Sequence, residues 1–270
     1  MGALDSMAGW GGINAGAAIF PDGSIERFGP TDRPFELASI TKLYTALAAL
    51  IAHEEGTLAL DDDLGDAGYS AADLLAHSAG VAPDERRWMA APHTRRIYST
   101  AAYEILADAI ADAATMPFAV YARDAVIAPL ELPTMRLDGS PGAGAIGSIE
   151  DLIELAAAWR TPSLIHGSTL ARATRPHRPE LDGVLPGFGQ RTPNPWGLGP
   201  EIRGDKAPHW TAPENDPSTY GHFGRSGTML WIDPAAQTTL IALSDQGFGP
   251  WASAAWPVLS TAVLAAAGVA

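Results

Sequence analysis

Residues 39–52 read Ser39-Ile40-Thr41-Lys42-Leu43-Tyr44-Thr45-Ala46-Leu47-Ala48-Ala49-Leu50-Ile51-Ala52. Ile40, Leu43, Tyr44, Leu47, Leu50 and Ile51 recur at helical spacing, and Gly56 follows as a C-terminal cap. Ser39 therefore opens a largely buried helix. Such a helix rises about 1.5 Å per residue, which puts Ser39 and Lys42 on one face about one turn apart. Of the 17 basic residues only Lys42 and Lys206 are lysines, so arginine carries the ordinary surface charge. Arginine stays protonated, whereas a desolvated lysine can lose its proton and act as a base. A lysine kept inside an apolar helix points to an amine chosen for its titration. Lys206, in the loop-like Gly204-Asp205-Lys206, is expected to accept arginine without effect.

A serine at a helix N-terminus meets free backbone N–H groups and the positive end of the dipole, both of which favour an oxyanion there. Serine alone is a weak nucleophile, and a desolvated Lys42 is a sufficient local base. By itself S-x-x-K reads more readily as a helix cap with a snorkelling lysine.

Working outward, Ala15–Phe20 and Ser24–Phe28 flank Pro21-Asp22-Gly23 as a β-hairpin. Helices are expected over Ala71–His77, Ala101–Ala114 and Phe118–Ile127, and from Ser148 to about Trp159 behind a capping-box pattern. Residues 175–220 read as long loops with one short strand near Trp196–Ile202. Thr228–Ile232 and Thr238–Ser244 form a second hairpin around Asp233-Pro234, and Trp251–Ala267 closes the chain as a helix. Strands at both ends with helices between them predict an α+β protein: an α/β sandwich whose antiparallel sheet is built from both termini and flanked by helices, plus an all-helical insertion.

The motifs come in a particular order. Ser39-Ile40-Thr41-Lys42 is followed by Glu54-Glu55-Gly56-Thr57-Leu58-Ala59-Leu60-Asp61-Asp62, then Leu74-Leu75-Ala76-His77-Ser78-Ala79-Gly80 and Tyr98-Ser99-Thr100. Pro129-Leu130 and Gly221-His222-Phe223-Gly224 complete the series. This series resembles the serine β-lactamase and penicillin-binding protein superfamily, in its class C-like branch of β-lactamases, D-aminopeptidases, D,D-carboxypeptidases and esterases. The resemblance implies a β-lactamase/transpeptidase-like fold. A sheet-containing part (1–56 and 185–270) and a mainly helical part (57–184) would face each other across an active-site cleft. It implies Ser39 as the acylated nucleophile, Lys42 as its proton acceptor and Tyr98 as the proton relay to the leaving group. His222 and Gly224 would lie on the strand lining the cleft, with Gly224 letting substrate approach the backbone, and the N–H of Arg225 would join that of Ser39 as the oxyanion hole.

Two departures bear on substrate. Thr100 stands where the family has an asparagine that binds an amide, and His222 stands where a lysine holds a carboxylate. Both fit esterase-like members better than β-lactamases. No counterpart of the class A deacylating glutamate is seen, so turnover would rest on Tyr98 and Lys42. His77 reads as structural support; Trp196, Trp210, Trp231 and Trp251 flank the expected cleft loops and could together form an apolar acyl pocket, although each taken singly reads first as core or loop packing.

Composition narrows the rest. An apolar content of 47% over 270 residues suffices for a core, and a mean hydropathy of +0.03 excludes a disordered chain. A net charge of −14 argues against nucleic acid and anionic membranes as partners. With no cysteine, disulfides, zinc thiolates and a cysteine nucleophile are excluded. The first basic residue is Arg27 and no apolar run reaches spanning length, so the expected compartment is the cytoplasm. The 7 histidines lack metal-ligand spacing, and neither a metal nor another cofactor is expected.

The function expected is therefore a serine hydrolase that acts through an acyl-enzyme on Ser39, with a small acyl ester or amide as substrate. One alternative is a sensor or binding module that acylates without turnover. The other is an α/β-hydrolase with Ser78 in a degraded nucleophile elbow, which would need a strand before the serine.

Overall fold

The computed structural model describes residues 2–64 and 68–269. The N-terminal hairpin forms as expected, with β1 (Asn14–Ile19) and β2 (Ile25–Phe28) antiparallel. β3 (Phe35–Glu36) leads into a 3-10 turn at Ala38–Ile40 and then α1 (Thr41–Glu54). Ser39 thus lies in the turn that precedes the helix, not in the helix itself. α2 (Ala71–Leu75), α3 (Ala101–Ala114) and α4 (Phe118–Ala122, prolonged by a π turn at Arg123–Ile127) follow.

β4 (Arg136–Leu137) and β5 (Ala145–Gly147) join β3 in a small sheet. α5 (Ile149–Arg160) begins at a complete capping box, in which Ser148 and Asp151 exchange hydrogen bonds. α6 (Gly167–Ala173) precedes a two-stranded hairpin of β6 (Gly183–Leu185) and β7 (Gly189–Arg191). β8 (Glu201–Ile202), β9 (Tyr220–Gly224), β10 (Thr228–Asp233), β11 (Thr238–Ser244) and α7 (Pro250–Ala266) complete the chain.

The six-stranded antiparallel sheet runs β2-β1-β11-β10-β9-β8, so the first strands of the chain pair with the last. Alternate side chains serve opposite faces. Ala17, Leu230 and Ile241 face one core, which α1 and α5 share. Their neighbours Ala18, Trp231 and Ala242 face a second core, with Trp256, Leu259 and Val263 of α7. Because both faces are covered, β1, β10 and β11 are buried throughout and read as nearly continuous apolar runs.

In α1, 12 of 14 residues are buried, so it is a central helix and not an amphipathic surface one. Residues 175–220 carry three short strands where one was expected, and α6 and the β3–β5 sheet were not expected at all. Elements of two or three residues, or a single short helix, are too brief for periodicity to register. Among the described residues no single helix is long and apolar enough to cross a membrane.

Candidate functional site

The turn that carries Ser39 is held from three sides. Leu37 N–H donates to the Ala145 carbonyl at 2.9 Å, and Thr228 Oγ1 donates to the Leu37 carbonyl at 3.0 Å. Gly224 presses on the same turn: a Cβ there would lie 2.6 Å from Leu37 O and 3.0 Å from Ala38 Cβ. Packing within the chain itself thus already leaves no room for a side chain at 224. Ala38 has φ of 45°, a conformation that costs a non-glycine residue of order 1–3 kcal/mol and that presents the next residue, Ser39, to the cavity.

Lys42 is wholly buried. Its Nζ donates to the Gly142 carbonyl at 2.8 Å and to Thr100 Oγ1 at 3.4 Å, and lies 4.7 and 5.3 Å from the ring centroids of Tyr98 and Tyr103. No carboxylate pairs with it among the described residues. Burial therefore dominates and lowers its pKa to about 7; Asp84 and Glu104 pull the other way, and Arg225 reinforces the fall.

The partners of Lys42 are themselves positioned by α1. Thr45, one turn on, donates to the Pro141 carbonyl at 2.6 Å, and Thr41 accepts from Ala145 N–H at 2.9 Å. Gly142 packs with Thr100 Cγ2 2.9 Å from where a Cβ would sit. A backbone carbonyl 100 residues away leaves no trace in a motif, which is why Gly142 was not foreseen.

Tyr98 O–H donates to Ser39 Oγ at 2.7 Å. Burial raises the phenol's pKa, so Tyr98 is a protonated donor at neutral pH. Its ring stands in a cage of His77 (4.7 Å between centroids), Trp196 (5.8 Å) and His222 (5.8 Å). The two imidazoles are locked in opposite tautomers. His222 Nδ1 lies 2.7 Å from the Phe223 carbonyl, which only accepts, so Nδ1 carries the proton. Burial lowers its pKa to about 3, leaving His222 neutral with an unpartnered Nε2 lone pair among the described residues. His77 Nδ1 instead accepts from Ser99 N–H at 3.2 Å, and burial also keeps this ring neutral, so its N–H is at Nε2. His77 thus supports Tyr98 from behind.

Ser39, Tyr98, Thr100, His222 and Arg225 line one cavity of about 420 Å³, together with Asp84, Glu104, Trp196, Phe223 and Phe248. Lys42 and Gly224 sit behind this surface. Of the four tryptophans, only Trp196 reaches the cavity. Trp210 and Trp231 are buried in the second core, and Trp251 packs on Trp10 at 5.3 Å. Aromatic residues near the predicted loops were thus mostly core residues.

Ser78 is fully buried and donates to Asp73 Oδ1 at 2.7 Å, and the segment before it is helical, so the nucleophile-elbow alternative fails. Lys206 also departs from expectation. It is buried, its Nζ lies 2.5 Å from Glu201 Oε1, and it donates to Asn194 Oδ1 and the Pro195 carbonyl. A larger, planar guanidinium does not fit such a site without rearrangement.

No curated protein sequence matches the chain. The Beta-lactamase family model matches residues 15–139. Simvastatin synthase from Aspergillus terreus shares the fold at 16% identity, with a TM-score of 0.75 over 94% of this chain and 93% of that one. EstCE1, a hydrolase with promiscuous acyltransferase activity, is similar at 18% identity and a TM-score of 0.75, over 93% and 94% of the two chains. A β-lactamase from Mycobacterium bovis is 42% identical, with a TM-score of 0.96 over 98% of this chain and 99% of that one. With identity at that level along the whole length, the chain belongs to the β-lactamase family of serine hydrolases.

Proposed function

We propose that the protein is a serine acyl hydrolase whose nucleophile is Ser39 and whose preferred substrates are esters. The observation that carries the reading is the 2.7 Å contact from Tyr98 O–H to Ser39 Oγ beside a buried lysine with no carboxylate partner among the described residues. With its pKa near 7, about half of Lys42 is a neutral amine at neutral pH and can accept the Ser39 proton. Ser39 Oγ then bonds to the carbonyl carbon, and the developing oxyanion is met by the N–H groups of Ser39 and Arg225. Collapse breaks the bond to the leaving oxygen, which takes the Tyr98 proton; Lys42 reprotonates Tyr98. Water then repeats the sequence on the acyl-enzyme and frees the acid.

The preference for esters rests on the cavity's polar groups. Neutral His222 offers a lone pair, not a positive charge, and Thr100 offers a hydroxyl already engaged by Lys42. Asp84 and Glu104 add carboxylates, which repel a carboxylated β-lactam or D-alanyl peptide; Arg225 in the lining and Arg86, 3.6 Å from Glu104, oppose them.

The test has two parts. Intact-mass spectrometry after a fluorophosphonate should give one adduct, absent in Ser39→Ala and kept in Ser78→Ala; an adduct surviving Ser39→Ala defeats the assignment. A comparison of kcat/KM for p-nitrophenyl butyrate, nitrocefin and a D-Ala-D-Ala peptide should favour the ester. A preference of about tenfold for either other substrate, equal to about 1.4 kcal/mol, removes the ester preference and leaves the serine mechanism.

A further inference from the structure

A second cavity of about 460 Å³ abuts the first, and the two share Pro83, Tyr98 and Pro186. Its walls come from two distant stretches, 83–98 and 182–190, which are tied together. Arg96 N–H donates to the Asp182 carbonyl at 2.7 Å, and Gly183 bridges Arg96 so closely that a Cβ would collide with the Arg96 carbonyl. The groove is therefore built, not a gap between independent loops.

Its polar groups are largely spent within the protein. The Arg96 guanidinium is taken up by the carbonyls of Ala76, His177, Arg178 and Asn194, and Gln190 donates to Asp182 at 3.3 Å. The remaining surface is Pro83, Met89, Ile97, Val184, Pro186 and Tyr98, with Arg95 at one side. Met89 is 46% exposed and Val184 54%, and the two lie in the same groove although they are 95 residues apart in the chain. Apolar side chains left open beside a reacting serine are the usual lining of a ligand site.

From this arrangement we propose that the groove holds the alcohol portion of the substrate, and that this portion is an extended apolar chain. The inference rests on the serine-hydrolase reading and refines it. Tyr98 belongs to both linings, and on the cavity side its hydroxyl meets Ser39. The oxygen that leaves must take its proton from Tyr98, so the group attached to that oxygen departs past this residue. Each methylene that enters an apolar site is worth a few-fold in binding, so an eight-carbon alcohol should be strongly favoured over a two-carbon one.

The test compares ethyl butyrate with octyl butyrate. Both give the same butyryl-enzyme, so a difference in kcat/KM arises in acylation, where the alcohol is still present. The wild-type octyl-to-ethyl ratio should be about tenfold or more. In Val184→Asp and Met89→Asp, at exposed positions that tolerate a polar side chain, that ratio should fall at least about fivefold. A wild-type ratio near one, or a ratio that survives both substitutions, overturns the assignment of the groove. If neither ester leaves a butyryl adduct on Ser39 in rapidly quenched samples while both are hydrolysed, the serine reading itself fails, and the groove assignment falls with it.

Discussion

The two lysines of this chain are both buried, yet their surroundings give them opposite properties. Lys42 meets a carbonyl, a hydroxyl and two aromatic faces, none of which carries a full negative charge. Desolvation is thus hardly compensated, and the amine is brought down to about 7. Lys206 has the Glu201 carboxylate 2.5 Å away, with His209 at 2.9 Å and Trp210 Nε1 on the same group. Burial lowers Lys206 as well, but Glu201 opposes that fall, while Lys206 and His209 hold Glu201 ionised against its own desolvation. The difference teaches that burial alone prepares a lysine to act as a base, and that one buried carboxylate turns the same residue into a structural ion. The two sites are also neighbours through Trp196, which lies 5.9 Å from Lys206 Nζ and packs on both His77 and His222.

The contrast can be broken most directly at Lys42. Lys42→Arg keeps the charge but removes the titration, and the rate of Ser39 acylation should fall about a thousandfold. Stopped-flow acylation with circular dichroism as a folding control would measure this, and a rate within about tenfold of wild type would make Lys42 structural.

The next effect belongs to Lys206. Lys206→Ala leaves Glu201 buried without its ammonium and should cost about 3–5 kcal/mol in urea unfolding. Lys206→Arg should cost less, about 1–3 kcal/mol, through overpacking. The double variant Lys206→Met/Glu201→Gln should recover much of the loss, since both charges go together. If Lys206→Ala unfolds at the wild-type midpoint, the ion pair does not hold this part of the fold.

The pH dependence sharpens the comparison further. Acylation should rise with pH and level off above about 7, as Lys42 loses its proton, with no second inflection from His222, whose pKa lies near 3. The linked effect on stability follows in sign. Folded Lys42 binds fewer protons than unfolded Lys42 between about 7 and the ordinary lysine value of 10.5, so its contribution to stability rises with pH across that window. Lys42→Met should therefore raise the melting temperature most at pH 6 and least near pH 10; a gain independent of pH would contradict the lowered pKa. The smallest effect is electrostatic tuning. Asp84 raises the Lys42 pKa and Arg225 lowers it, so Asp84→Asn should move the acylation inflection down by a fraction of a pH unit and Arg225→Gln up. Movement of both in the same direction would show that these side chains act on the site by other means.

Much of this was legible along the chain. Both hairpins, α1, α3, α5 and α7 carry patterns of apolar residues long enough to register, and Ser148 and Asp151 form the capping box that their spacing indicates. Ser39, Tyr98, Thr100, His222 and Arg225 do converge on one cavity. The failures share a cause. β6, β7 and α6 are short, and the role of Lys206 depends on Glu201 across a turn in a stretch that reads as loop. Trp210 and Trp231 lie in the core, the reading each has singly; as large aromatics they stay ambiguous between core and site until the fold assigns each strand face.

What the sequence determined by itself is therefore the set of reacting residue types and the elements that carry them: a serine three places before a lysine in an apolar helix, a tyrosine ahead of another helix, a histidine and glycine on a strand. Only the tertiary structure decided their chemical states. The proton on His222 Nδ1, the neutral tendency of Lys42 and the ion pairing of Lys206 each depend on a partner that folding places beside the group: Phe223 O next door, Gly142 O 100 residues on, Glu201 across a turn. Spacing along a chain reports which side chains share a face. Protonation is set by desolvation and by the charges within a few ångströms, and those exist only once the chain has folded.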